Sequence, residues 1–135
     1  MNGENGKKKD ERFLQEIRAS DWVVMNYDQL ISQVNSNERL FVDELSEMNF
    51  DYLILDEAHH IKSQRRETKK GRPTLSAATQ RLAHAIRYKA LLTASPLPDR
   101  LRDYGVLASI LQPDKFPTPE TLEQRIRNNP RELYT

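Results

Sequence analysis

The sequence predicts an α/β domain: a short parallel sheet with helices on its faces. Three observations carry this. Trp22-Val23-Val24-Met25, Phe50 to Leu55 and Lys89 to Thr93 are short apolar runs of strand length. Between them lie stretches with apolar residues three and four apart, the helical spacing. Strand and helix signals alternate, as they do when crossover helices join parallel strands. At 135 residues the chain is one domain at most.

The elements follow in order. Residues 1–9 are polar, offer nothing to bury, and are expected to be a disordered lead-in. Phe13, Leu14 and Ile17 then make an amphipathic stretch with Asp10 as its cap. After the run at Trp22, Asp28 can cap a helix carrying Leu30, Ile31 and Val34. Asn37 can cap another, with Leu40, Phe41, Leu45 and Met48 on one face. The run at Trp22 reads as a buried strand, and the one ending at Leu55 is apolar on both faces apart from Asp51. Lys62 to Arg72 is a basic segment closed by Gly71-Arg72-Pro73, a loop signal. A helix is expected over Ser76 to Arg87, with Leu75, Ala78, Leu82 and Ile86 at helical spacing. Pro96 and Pro98 end regular structure after the third strand. Asp103 to Leu111 is amphipathic through Tyr104, Leu107, Ile110 and Leu111. Thr118-Pro119-Glu120 reads as a helix start, with Leu122 and Ile126 on the buried side. Residues 129–135 are expected to fray, which leaves 10–128 as the folded unit.

Composition excludes several classes. No apolar run approaches the ~20 residues that span a bilayer, and residues 1–12 hold no apolar signal-peptide core. The chain has no cysteine, so disulfides and thiolate metal sites are excluded, in keeping with an intracellular protein. A net charge of +1 supplies no global field for nucleic acid, so any such contact is local. The basic run Lys62 to Arg72 lacks an interleaved aromatic for base stacking and reads as a solvated loop.

Ligands of open parallel sheets bind outside the carboxyl ends of the strands. Three groups fall there: Asn26-Tyr27, Asp56-Glu57-Ala58-His59, and Thr93-Ala94-Ser95. Magnesium takes one or two carboxylates and keeps most of its water, which suits a single strand-end aspartate, Asp56. An adjacent acid, Glu57, projects differently and can polarise an attacking water. Phosphoryl transfer needs mainly positioning and charge neutralisation, which these two roles supply. An Asp-Glu pair at such a turn serves equally well as an acidic helix start. His59 can be a metal ligand, a base, or a link to a neighbouring strand. His60 and His84 read as exposed. Thr93 and Ser95 can hydrogen-bond the His59 region or simply cap a turn.

The order of segments adds what no single motif does. Val23-Val24-Met25-Asn26-Tyr27 is followed by Tyr52-Leu53-Ile54-Leu55-Asp56-Glu57-Ala58-His59-His60-Ile61-Lys62. Then come Leu91-Leu92-Thr93-Ala94-Ser95-Pro96-Leu97 and Leu111-Gln112-Pro113-Asp114-Lys115-Phe116. This series resembles the Swi/Snf family of superfamily-two, helicase-like ATPases, which translocate on DNA, over roughly residues 10–127. The resemblance implies a partial RecA-like three-layer domain, the second half of the ATP-binding lobe. It implies ATP and Mg2+ as cofactors, with Asp56 positioning magnesium through water and Glu57 activating the attacking water. His59 would couple that site to Thr93 and Ser95. Asn26, standing where the family often has threonine, and Tyr27 would lie near DNA phosphate. Pro98-Asp99 replaces the family's common Gln-Asn.

The sequence holds no Gly-x-x-x-x-Gly-Lys-Ser/Thr loop. The expected chain therefore lacks the phosphate-loop strand, and its partners would be the missing phosphate-loop segment, the second RecA-like lobe, and double-stranded DNA through the parent protein. No membrane partner is expected. Location would be nuclear in a eukaryote and cytoplasmic in a bacterium. Two alternatives remain from the residues: an idle interaction module of the same fold, and a small metal-dependent hydrolase using Asp56, Glu57, His59 and His60.

Overall fold

Five α-helices and two β-strands, with two 3-10 segments, make up the described part of the computed structural model: α1 (Gly3–Arg18), α2 (Phe41–Ser46), β1 (Tyr52–Leu55), α3 (Leu75–Ala85), β2 (Tyr88–Leu91), α4 (Leu101–Leu111) and α5 (Pro119–Asn128). The structure describes residues 3–34, 39–61, 73–94 and 101–130, with backbone only for 3–10. The expected cap at Asn37, the basic run from Lys62 to Arg72, Ser95, Pro96 and Pro98, and the tail from 131 lie outside the described residues.

The expected α/β class with a short parallel sheet is observed. β1 and β2 pair in parallel, with Tyr52 beside Tyr88, Leu53 beside Lys89, Ile54 beside Ala90 and Leu55 beside Leu91. Helix α3 lies between them in the chain, as a parallel crossover requires. Side chains alternate along a strand. Leu53, Leu55 and Leu91 turn toward a core that includes Ala83 of α3 with Val106 and Ile110 of α4. Tyr52 and Ile54 turn the other way and are 67% and 50% exposed. The strand that is apolar on both faces is thus covered on one. An apolar run records that both faces are hydrophobic, not that both are covered.

The run Trp22 to Met25 forms no strand. Among the described residues the sheet has two strands only, so this run has no ladder to join. Its side chains still alternate: Val23 and Met25 pack against the first core, while Trp22 and Val24 are 77% and 96% exposed. The expected lead-in is also different, since the backbone is helical from Gly3 and Asp10 lies within the helix instead of capping it. Ile17, buried in the first core, anchors this helix, and lysines of good propensity propagate it backward. The helix expected after Asp28 is one 3-10 segment, Tyr27–Ile31, begun at Asn26, whose backbone N–H donates to the Gln29 carboxamide oxygen at 2.9 Å. Beyond it an antiparallel bridge joins Gln33 to Leu40 and brings the chain back to α2.

Helix α2 starts where the Leu40 N–H donates to the Asp43 carboxylate, at 3.2 Å. Helix α3 begins at Thr74, whose hydroxyl accepts from the Ala77 N–H at 3.2 Å. Both caps satisfy amide groups that a helix start leaves orphaned. The first core joins Ile17, Leu30, Val34, Phe41, Val42 and Leu45 to Ala78, Leu82 and Ile86 of the α3 region. Above it, the buried Glu44 carboxylate meets Arg18 at 3.3 Å and Arg39 at 3.2 Å, tying α1 and the segment before α2 to one acid.

Helix α4 is rotated from its expected face. Gly105, Val106, Ser109 and Ile110 are buried, whereas Leu111 is 44% exposed. Pro119 causes the difference. A Cβ on Gly105 would collide with the Pro119 carbonyl and its Cα, so the glycine lets the start of α5 rest on α4. Arg102 and Glu120 pair across the same contact. Leu122 and Ile126 are only half-buried, and no residue of α5 is fully buried. Gly105→Ala is expected to destabilise the chain by about 1–2 kcal/mol, because overpacking against backbone outweighs the helix-propensity gain. A urea midpoint unchanged or raised in the variant would refute this account of the glycine.

Candidate active site

The acidic motif sits where β1 ends. Leu55 is the last strand residue, and Asp56 and Glu57 form the turn into a 3-10 segment, Ala58–His60. Two backbone bonds clamp this turn to the other strand. The Leu92 N–H donates to the Leu55 carbonyl and the Ala58 N–H donates to the Leu92 carbonyl, both at 2.9 Å. Ala58 is fully buried, so only a small side chain suits the position. The clamp also sets Thr93, the next residue on the β2 side, beside the turn.

Glu57 stands at φ 50°, ψ 46°, in the left-handed region. A residue with a Cβ resists that conformation by roughly 1–2 kcal/mol. The peptide between Asp56 and Glu57 is held at both ends. Its N–H donates to the Asp56 carboxylate at 2.9 Å, and its carbonyl accepts from the Tyr27 hydroxyl at 2.6 Å. Burial pushes the Tyr27 phenol up to about 12, helped by the neighbouring Asp56 and Glu57 charges. The hydroxyl is therefore a protonated donor across the neutral range.

His59 faces two partners through one nitrogen. Its Nδ1 lies 3.1 Å from a Glu57 carboxylate oxygen and 3.3 Å from the Thr93 hydroxyl. With Nδ1 protonated, the ring donates to Glu57. With Nδ1 unprotonated, it accepts from Thr93. The tautomer thus sets whether Nδ1 donates, with Glu57 and Thr93 both able to accept, or accepts from Thr93 alone. His60 stacks obliquely on His59, with ring centroids 4.2 Å apart, and is exposed, as is His84.

The structure therefore brings together Asp56, Glu57, His59, Thr93 and Tyr27. Tyr27 was read from sequence only as a residue near phosphate. Its partner is a backbone carbonyl 29 positions away, which no local pattern announces. Asn26, adjacent to it, begins the 3-10 segment. Ser95 lies outside the described residues.

Hard carboxylate oxygens at the end of a parallel strand fit a magnesium ion that is held mostly by water and phosphate. Among the described residues no three His, Cys, Asp or Glu side chains gather as a metal cage. The donor set of the small-hydrolase alternative is thus not assembled there. A cleft of about 260 Å3, lined by Phe13, Ile17, Trp22 and Phe41, opens beside α1 and contains none of the acidic motif. Among the described residues no helix is long and apolar enough to cross a membrane.

The family model of the SNF2-related domain matches residues 1–133. The zebrafish DNA excision repair protein ERCC-6-like is 32% identical over 105 residues, covering 76% of this chain and 6% of that protein. The ISWI chromatin-remodeling complex ATPase CHR17 of Arabidopsis thaliana is 31% identical over 80 residues, 59% of this chain and 7% of its own length. The ISWI chromatin-remodeling complex ATPase ISW2 of Saccharomyces cerevisiae is 27% identical over 111 residues, 81% of this chain and 8% of its own. The chain thus spans under a tenth of the length of these curated relatives. No solved structure matches it.

Proposed function

We propose, from the premise that this chain belongs to the SNF2-related domain family, that it carries the carboxylate half of an ATP-hydrolysing site. In this reading Asp56 positions Mg2+ through water and Glu57 aims the water at the γ-phosphate. His59, with Thr93 and Ser95, links the nucleotide site to a surface that follows double-stranded DNA, near Asn26 and Tyr27. The phosphate loop and a second RecA-like lobe, with its arginine finger, complete the site. Relatives named as chromatin-remodeling ATPases favour a chromatin substrate and, in a eukaryote, a nuclear location.

The observation that supports the reading best is the clamped turn. Asp56 and Glu57 leave the carboxyl end of β1 together, and His59 sits between Glu57 and Thr93. An acidic helix cap has no use for that link to a second strand.

The 135 residues on their own are expected to hydrolyse no ATP. Hydrogen bonds to a charged phosphate contribute about 1.5–3 kcal/mol each, so about four missing ones amount to about 6–12 kcal/mol. Micromolar binding is only about −8 kcal/mol in total. The positive test grafts residues 10–128 into the matching segment of the yeast ISW2 ATPase. The chimera is expected to hydrolyse ATP, and Glu57→Gln to slow it by roughly 100-fold or more. A chimera equally active with Glu57→Gln would remove the assigned role, and turnover by the 135 residues alone, abolished by Glu57→Gln, would remove the claim of incompleteness.

A further inference from the structure

We propose that Tyr27 is a positioning residue for the acidic turn, its hydroxyl fixing the Asp56–Glu57 peptide and so the directions in which both carboxylates leave β1. The proposal deepens the reading of Asp56 and Glu57 above and, in its metal-binding arm, rests on it.

The argument begins with the peptide unit itself. Glu57 is held in the left-handed region, where a non-glycine residue stays only if its surroundings determine it. Leaving that region means rotating the peptide that precedes Glu57. Its N–H is tied to the Asp56 carboxylate and its carbonyl to Tyr27. The first tie is to the side chain that would have to serve magnesium, so it cannot hold the peptide independently of the site. The Tyr27 hydroxyl is the tie that comes from outside the turn.

Tyr27 is suited to this. It opens the 3-10 segment Tyr27–Ile31, whose Leu30 is buried, and its ring packs against both cores. The segment also contacts α3. The hydroxyl therefore reaches Asp56 from a base anchored in the protein interior, and a hydrogen bond of 2.6 Å is a short one for two oxygens. The consequence is a connection between the segment 22–27 and the acidic turn that bypasses β2. A shift of the 3-10 segment would pull on the Asp56 carbonyl and turn Glu57 with it. Outer partners of this kind set the orientation of metal-site carboxylates.

The test compares the full chain with its Tyr27→Phe variant, which removes the hydroxyl and keeps the ring. Amide hydrogen exchange of Glu57 and Ala58 is read by NMR, and Mn2+ binding, with the metal alone as probe, by water-proton relaxation. With circular dichroism unchanged, exchange at Glu57 and Ala58 is expected to quicken about tenfold and Mn2+ affinity to fall about tenfold, while the amides of α4 and α5 keep their rates. Exchange and affinity both equal to wild type would overturn the proposal. So would faster exchange with unchanged affinity, which marks a structural bond that does not aim the carboxylates. If the wild-type chain holds no Mn2+, as a site that draws most of its metal's ligands from water and phosphate allows, the exchange difference alone decides the role of Tyr27. If Tyr27→Phe does not fold, wild-type chain with 13C-labelled tyrosine decides it in mixed H2O/D2O. A Tyr27 Cζ signal split by slow hydroxyl exchange supports the bond to Asp56, and a single averaged line overturns it.

Discussion

Ile110→Ala is expected to cost the chain about 2–5 kcal/mol, the range for truncating a large aliphatic side chain in a packed core. Ile110 is fully buried in the core that also holds Leu55, Ala58, Ile61, Ala83 and Val106. Leu55 and Ala58 bracket the acidic pair, so the cavity left by the substitution opens in the core on which the turn rests. Domains have only about 5–15 kcal/mol of net stability, so this loss consumes much of it. Urea denaturation followed by circular dichroism measures the cost. The same variant is expected to broaden the His59 and Thr93 resonances before global unfolding, since the turn they flank loses its floor. A cost below 1 kcal/mol would mean that α4 does not close this core.

The second large effect concerns association. Tyr52, Ile54, Tyr88 and Leu92 are 67%, 50%, 45% and 50% exposed. Tyr52 and Tyr88 stack with centroids 4.9 Å apart, so they present one apolar face. Parallel sheets are ordinarily covered on both faces, and contiguous exposed apolar surface drives association. The 135-residue chain is expected to self-associate at micromolar concentration and to bind a hydrophobic dye. The double substitution Ile54→Lys with Leu92→Lys should largely abolish both, while shifting stability by only about 0.5 kcal/mol, as exposed substitutions do. Sedimentation velocity with dye fluorescence checks this. A wild-type chain that sediments as a monomer without dye binding would show that the face tolerates water.

Much of the site was legible beforehand because it is local. Asp56 and Glu57 follow an apolar run directly, and a strand that ends in two acids delivers them to its carboxyl end whatever lies around it. The link of His59 to Thr93 was implied by the family resemblance and not by spacing, and two parallel neighbours that bring their carboxyl ends together supply the contact. Helices α3 and α5 were readable from Leu75, Ala78 and Leu82 and from Thr118-Pro119, because periodicity and caps act within a few residues.

What could not be read is non-local. Trp22 to Met25 has strand composition, but a strand exists only through a partner, and partner availability is a property of the assembled sheet. The face of α4 was set by Gly105 meeting Pro119, a backbone approach 14 positions apart that hydrophobic periodicity does not register. Lysines near the start of α1 read as solvated chain because their helix propensity is realised only once Ile17 is packed.

The sequence by itself determined the α/β class, a short parallel sheet that includes the run ending at Leu55 and the run Lys89 to Thr93, and the pair of acids at the strand end. Each follows from short-range periodicity and from side-chain chemistry carried by single residues. Only the tertiary structure decided which sheet face is covered, that the run at Trp22 pairs with nothing described, and that the Tyr27 hydroxyl holds the Asp56 carbonyl. Those outcomes depend on which surfaces meet, and a surface is composed of residues far apart in the chain.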